Sequence, residues 1–147
     1  MNGKMRGLIG ACGLLACVVT QSALAAEHIE LVEHADTDAT LDLGAKGDSV
    51  GDLLTWSNPL FDAADKTKVG SDQGYCVRVS VGKSWECSWT NMLKDGQIMV
   101  EGPFWDDKDS LLTIIGGTGK YVGAKGTLKL HARDAKASSY QFVFELL

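Results

Sequence analysis

The chemically most suggestive features of this sequence are a glycine-rich run, TIIGGTGKYVGAKGTLKL at residues 113–130, and two cysteines, Cys76 and Cys87. Glycine loops that cradle a dinucleotide have the spacing G-x-G-x-x-G and open a helix. Here Gly117, Gly119 and Gly123 are spaced G-x-G-x-x-x-G and lead into TLKLHAR, whose alternation is that of a strand. The Walker pattern fails too, because Tyr121 follows Gly119-Lys120 where a magnesium-binding hydroxyl is needed. What such glycines do provide is tight bends and close approach between strands. Two thiols without paired histidines fall short of a zinc ligand set. His28, His34 and His131 show no metal spacing, and no serine lies in a nucleophile elbow. The expectation is therefore no metal and no cofactor, and a disulfide between Cys76 and Cys87.

The positioning elements begin after residue 25. Lys4 and Arg6 precede an uncharged apolar run, and Ala23-Leu24-Ala25 has the small-residue form of a signal-peptidase site. The reading is a signal peptide at 1–25 and one domain at 26–147, in a secreted or periplasmic protein. An uncleaved anchor over residues 7–26 and a lipoprotein attached through Cys17 are the alternatives; Gln21, Ser22 and the A-x-A site favour cleavage. Removing the leader takes two of the 14 basic residues and none of the 19 acidic ones, moving the net charge from −5 to −7. Such a surface repels nucleic acid, which is not expected as a partner. It also leaves Cys76 and Cys87 as the remaining cysteines of a chain bound for an oxidising compartment.

Period-two alternation recurs throughout. In SYQFVFEL, Tyr140, Phe142, Phe144 and Leu146 share one face; in TLKLHAR, Leu128, Leu130 and Ala132 do. Eight strands are expected, near 28–35, 50–57, 73–80, 84–92, 97–104, 110–115, 125–133 and 139–146, in an all-β fold closed as a barrel or packed as a sandwich. The charges of DAADKTK and DDKD are read as serving solubility. A turn at Val81-Gly82 pairs Arg78 with Trp85 and Cys76 with Cys87. A two-residue turn at Asp95-Gly96 pairs Trp89 with Gly102 and Cys87 with Phe104. Both registers place Trp85, Trp89, Leu93, Ile98, Val100 and Phe104 on the interior face with Arg78 and Asn91, and set Phe104 in the cysteine row. Opposed cysteines can form a cross-strand bridge contributing on the order of 2–3 kcal/mol.

Four segments, GDLLTWSNPLFD, VGSDQGYCV, VEGPF and IIGGTGKYVGAKG, occur in this order in a chain that resembles the allene oxide cyclase and dirigent superfamily of barrels. The resemblance covers residues 51–147 and implies an eight-stranded antiparallel closed β-barrel, a homotrimer, and an apolar lumen that binds a small apolar or aromatic ligand. It also implies an isomerase or cyclase that steers cyclisation by excluding water and holding a reactive conformer. By this resemblance Asn58 falls on an asparagine that holds a water at the substrate oxygen, Cys76 on a lumen cysteine, Phe104 on a tyrosine of the lumen wall, and Glu33 on a lumen glutamate. Glu33 and Asn58 are thus the candidate catalytic residues, with Phe104, Trp85, Trp89 and Arg78 as ligand wall and Arg78 as the partner of an inward Glu33. The family's water-holding proline and serine have no equivalents in HADTDATLDLGAKGD, and a Cys76–Cys87 bridge removes the lumen thiol. The alternative reading is a non-catalytic secreted binding protein on the same scaffold.

Overall fold

The computed structural model describes residues 27–147; the leader expected at 1–25 lies outside them. The strands are β1 (Glu27–His34), β2 (Ala39–Leu41), β3 (Leu53–Asp62), β4 (Lys68–Ser80), β5 (Ser84–Leu93), β6 (Gly96–Trp105), β7 (Ser110–Gly117), β8 (Gly126–Ala132) and β9 (Ser139–Leu146), with one 3-10 turn at Gly119–Tyr121. From β3 to β9 each strand pairs antiparallel with the next, and β1 closes the ring by pairing with both β9 and β3. The result is the expected eight-stranded closed barrel. Short β2, which the sequence reading missed, adds to the outer end of β3.

Alternation decides what fills the interior. Leu128, Phe144, Ile98 and Leu60 are fully buried, and Leu31, Val100, Leu112, Ile114 and Phe142 are at most 5% exposed. Burying each such side chain contributes about 1.5–3 kcal/mol. Gly74 makes room for the largest of them. A Cβ at Gly74 would stand 2.2 Å from the Trp89 Cβ and 2.6 Å from the Ser88 carbonyl oxygen.

Three expectations are corrected. First, β3 does not end at Asn58 but runs to Asp62, and β4 starts at Lys68. Pro59 is tolerated mid-strand because β2 leaves the edge of β3 at Thr55 and β1 joins it only at Leu60. The Ser57 N–H faces that gap, toward Thr37, so the missing N–H two residues on faces it too. Second, the β5–β6 turn is Lys94-Asp95 and the register is two residues from the expected one: Cys87 opposes Gly102, and Phe104 opposes Trp85. Gly96 is needed elsewhere, at φ 151° against the Thr118 carbonyl, which a Cβ would approach to 2.1 Å. A slip of two keeps every side chain on its face, so the interior set survives but Phe104 leaves the cysteine row. Third, the acidic loops hold the barrel's ends: Asp65 pairs with His34 and Arg133, Asp106 with Arg78, and Asp109 with Lys129 and His131.

Gly74→Ala is expected to lower stability by about 1–3 kcal/mol through overpacking against Trp89, read as a fall in the thermal unfolding midpoint. An unchanged midpoint would show that Trp89 does not depend on the missing side chain.

Candidate ligand-binding site in the barrel lumen

Near the loop 35–38 end the interior is not filled. A cavity of about 60 Å³ is walled by Trp56, Trp89, Phe104, Tyr140, Phe142, Leu54, Leu130 and the cysteines, with Glu33 and Asp38 as its acidic groups. Trp56 meets Trp89 edge-on at 5.7 Å between ring centroids, and Phe104 meets Tyr140 edge-on at 5.9 Å. Cys76 and Cys87 are joined, as expected. Through Phe104, Leu130 and Tyr140 the cavity shares its wall with an outer cleft of about 560 Å³ between loops 105–109 and 132–137. The inner volume alone holds about two waters. A larger ligand therefore has to lie across both spaces.

The polar side of the cavity is built by β1, β3 and β4. Glu33 is 5% exposed, Asn58 1%, and Asp72, opposite Asn58 in the ladder, fully buried. Asn58 Nδ2 donates to Glu33 Oε1 at 2.9 Å and to Asp38 Oδ1 at 2.8 Å, while its Oδ1 accepts from the Thr37 N–H at 2.9 Å. Both amide hydrogens are therefore committed to protein groups. Asn58 orients Glu33 and ties the loop at 35–38 across the lumen mouth. Asp72 Oδ2 accepts from Trp56 Nε1 at 3.3 Å, whereas its Oδ1 has no donor while Glu33 is ionised. In the same row Asn91, opposite Asp72 on β5, is satisfied by Trp89 Nε1 and the Ile98 carbonyl.

Two carboxyl groups in contact in a dry interior cannot both be charged. Burial, and then the charge of Asp72, push the Glu33 pKa well above the usual carboxylate range, against the hydrogen bond from Asn58. Burial likewise raises Asp72, to about 7, although hydrogen bonds from Trp56 and Glu33 oppose it. Burial thus favours the protonated form of both carboxyls and disfavours the doubly charged pair. Burial first, and then the Glu33 charge, raise the neighbouring Tyr140 phenol.

The structure thus brings Glu33, Asn58, Trp89, Phe104 and the cysteines together, and separates Arg78 and Trp85 from them. Arg78 does not meet Glu33. Its Nη1 binds Asp106 at 2.7 and 2.9 Å, its Nε stands 2.7 Å from Asp48 without hydrogen-bond alignment, and its guanidinium lies 4.0 Å from the centre of the Trp85 ring. Arg78 and Trp85 line a separate cleft of about 490 Å³. The expected strand register brought Arg78 inward but could not reveal two aspartates from distant loops waiting for it. Asp72 was missed although the signal was present: counting inward positions back from Cys76 through Gly74 reaches it, and the expected strand began one residue too late. Trp56 carried the same signal, two residues from Asn58 on one face of the expected strand, whereas Asp38, in a loop, had none.

The allene oxide cyclase family model matches residues 24–137. Among solved structures, a pyocyanin demethylase is 27% identical, with a TM-score of 0.72 over 82% of this chain and 100% of that one. A pterocarpan synthase dirigent protein is 14% identical, with a TM-score of 0.67 over 83% and 93% of the two chains. An exo-specific intermolecular Diels–Alderase is 15% identical, with a TM-score of 0.61 over 83% and 98%. The latter two likenesses are of fold. The family match, spanning most of the chain and every barrel strand except β9, carries the conclusion: this chain belongs to the allene oxide cyclase family.

Proposed function

We propose that this protein binds a small apolar or aromatic molecule across the lumen and outer cleft and exchanges a proton with it through Glu33, steering an isomerisation or cyclisation. One observation carries this reading: a buried carboxyl pair pushed toward its protonated form, with Glu33 facing a cavity walled mainly by aromatic rings, two leucines and a disulfide, with Asp38 at its acidic side. A neutral acid in such a place can protonate a ligand oxygen or nitrogen, and Asp72 behind it can receive or return the proton, a role worth about 10²–10⁴ in rate. The rings exclude water and fix the conformer that reacts. Asn58 acts by positioning Glu33. Likeness to a pyocyanin demethylase supports a small organic substrate. The narrowness of the inner cavity favours the second reading, a binding protein without catalysis.

We further propose export, with the mature chain starting at Ala26, and assembly as a homotrimer. The disulfide fits an oxidising compartment, and no helix among the described residues is long and apolar enough to cross a membrane. Native mass spectrometry of the exported protein is expected to show three copies of a chain beginning at Ala26; a monomer at micromolar concentration removes the trimer, and a retained leader removes the cleavage.

Phe104→Ala is expected to alter binding of a fluorescent apolar probe while costing less than the roughly 3–5 kcal/mol of a fully packed ring, because Phe104 is only half-buried and borders open space. Glu33→Gln is expected to retain the fold and change the pH dependence of probe binding. Unchanged binding in both, with a large stability loss for Phe104→Ala, would mean a filled core and no ligand site.

The carboxyl pair also predicts a pH profile. A group whose folded pKa is raised contributes stability that is complete below its unfolded value and is lost as pH rises through the folded one. For Asp72 that window runs from 3.8 to about 7, and Glu33, raised well above 4.5, adds a loss of the same sign. Asp52, Asp62, Asp65, Asp109 and Asp134 are held low by hydrogen bonds, so their contribution is lost only as pH falls below about 4. His28, raised by Glu30 and Glu145, loses its contribution above 6.5. Between pH 4.5 and 6.5 the thermal midpoint is therefore expected to fall by several degrees, and Asp72→Asn to flatten that slope. An identical slope in the variant would show that Asp72 takes up no proton in the folded protein over this range.

A further inference from the structure

The Cys76–Cys87 bridge lies where a staple is least needed. β4 and β5 are neighbours in one hairpin joined by residues 81–83, and they pair from Gly70↔Leu93 to Ser80↔Ser84. The ladder already holds the two positions opposite each other, and a sequence separation of 11 encloses only a short loop. Yet both cysteines point inward, are 2% exposed and line the lumen cavity. In their row, Leu54 stands beside Cys76, and Gly102, beside Cys87, adds no side chain. The sulfurs are thus much of the bulk that this level of the wall offers to a ligand.

Resting on the lumen reading above, we propose that the bridge determines specificity by setting the width of the lumen: the oxidised pair is the wall a flat ligand lies against, and opening the S–S bond narrows the site. A disulfide holds its sulfurs about 2 Å apart, whereas non-bonded heavy atoms settle at about 3.5–4 Å or more. With the ladder fixing both Cα positions, two thiols must spread, and the unfilled space beside them is the cavity of about 60 Å³. Reduction by dithiothreitol balances as a two-electron exchange. One reagent thiolate attacks a sulfur, the other cysteine departs as thiolate and takes a proton, and the second reagent thiol resolves the mixed disulfide, freeing the second cysteine as a thiol and leaving cyclic oxidised reagent.

Two ways of breaking the bridge then act in opposite directions, which a purely structural staple would not do. Reduction keeps both sulfurs and crowds the wall; Cys76→Ala with Cys87→Ala removes them and widens it. The test is equilibrium binding of N-phenyl-1-naphthylamine to the oxidised protein, the reduced protein with its thiols counted, and the double alanine variant, each checked for fold by circular dichroism. Reduction is expected to weaken binding about tenfold, the scale of a modest overpacking penalty, and the double variant to bind at least as tightly as the oxidised protein. Shifts in the same direction, no shift, or a reduced chain that fails to fold would each overturn the proposal and leave the bridge a staple. Probe binding that ignores the bridge removes this inference alone; no probe binding by the oxidised protein removes the lumen reading and this inference together.

Discussion

Ring closure governs this molecule. Because β1 has β9 on one side and β3 on the other, the sheet has a fixed circumference, and an eight-stranded barrel of that kind is only just wide enough for its own side chains. Every inward residue therefore competes for a small, dry volume. Where Phe142, Phe144, Ile98 and Leu128 meet, the volume is full. Beside the Cys76–Cys87 row, between Trp56, Trp89, Phe104 and Tyr140, a remainder is left, and that remainder is the candidate site.

The same confinement explains the chemistry of the polar corner. In water Glu33 and Asp72 would be ordinary carboxylates. Placed by β1 and β4 against the same interior, both are pushed toward their protonated forms by burial, and the amide of Asn58 is divided between Glu33 and Asp38. Arg78, the one inward cation of β4 and β5, is held away by Asp106 and Asp48, so it cannot neutralise the pair. The Arg78 charge and the acid pair thus lie in separate parts of the barrel, beside separate clefts.

Much of this was legible in sequence, for a physical reason. Alternation is imposed by the strand itself, so the faces of β5, β6, β8 and β9 could be read directly, and even a two-residue register slip left them intact. The Cys76↔Cys87 pairing was legible because a short turn lies close by. What escaped was set by groups remote along the chain. Gly96 was claimed by the turn at Thr118 and not by its own hairpin; Pro59 was allowed mid-strand by a gap that only β1 and β2 define; Arg78 was drawn away by Asp48 and Asp106. Family resemblance placed Glu33 and Asn58 at the lumen. It did not supply Asp72, whose role emerges only when β1 and β4 are brought to the same interior.

The topology also separates what is local from what is distant. The β4–β5 hairpin is local, so its ladder and its covalent link need only residues close in sequence. The acid pair needs more: Glu33 is carried by the first strand, which finds its seam only when the last one, β9, is available, with Glu27 meeting Leu146. The disulfide side of the cavity is thus local in sequence, whereas its acidic side depends on the closing seam. A chain that stopped before β9 would leave its inward aromatic rings uncovered and Glu33 without the partner strand that places it.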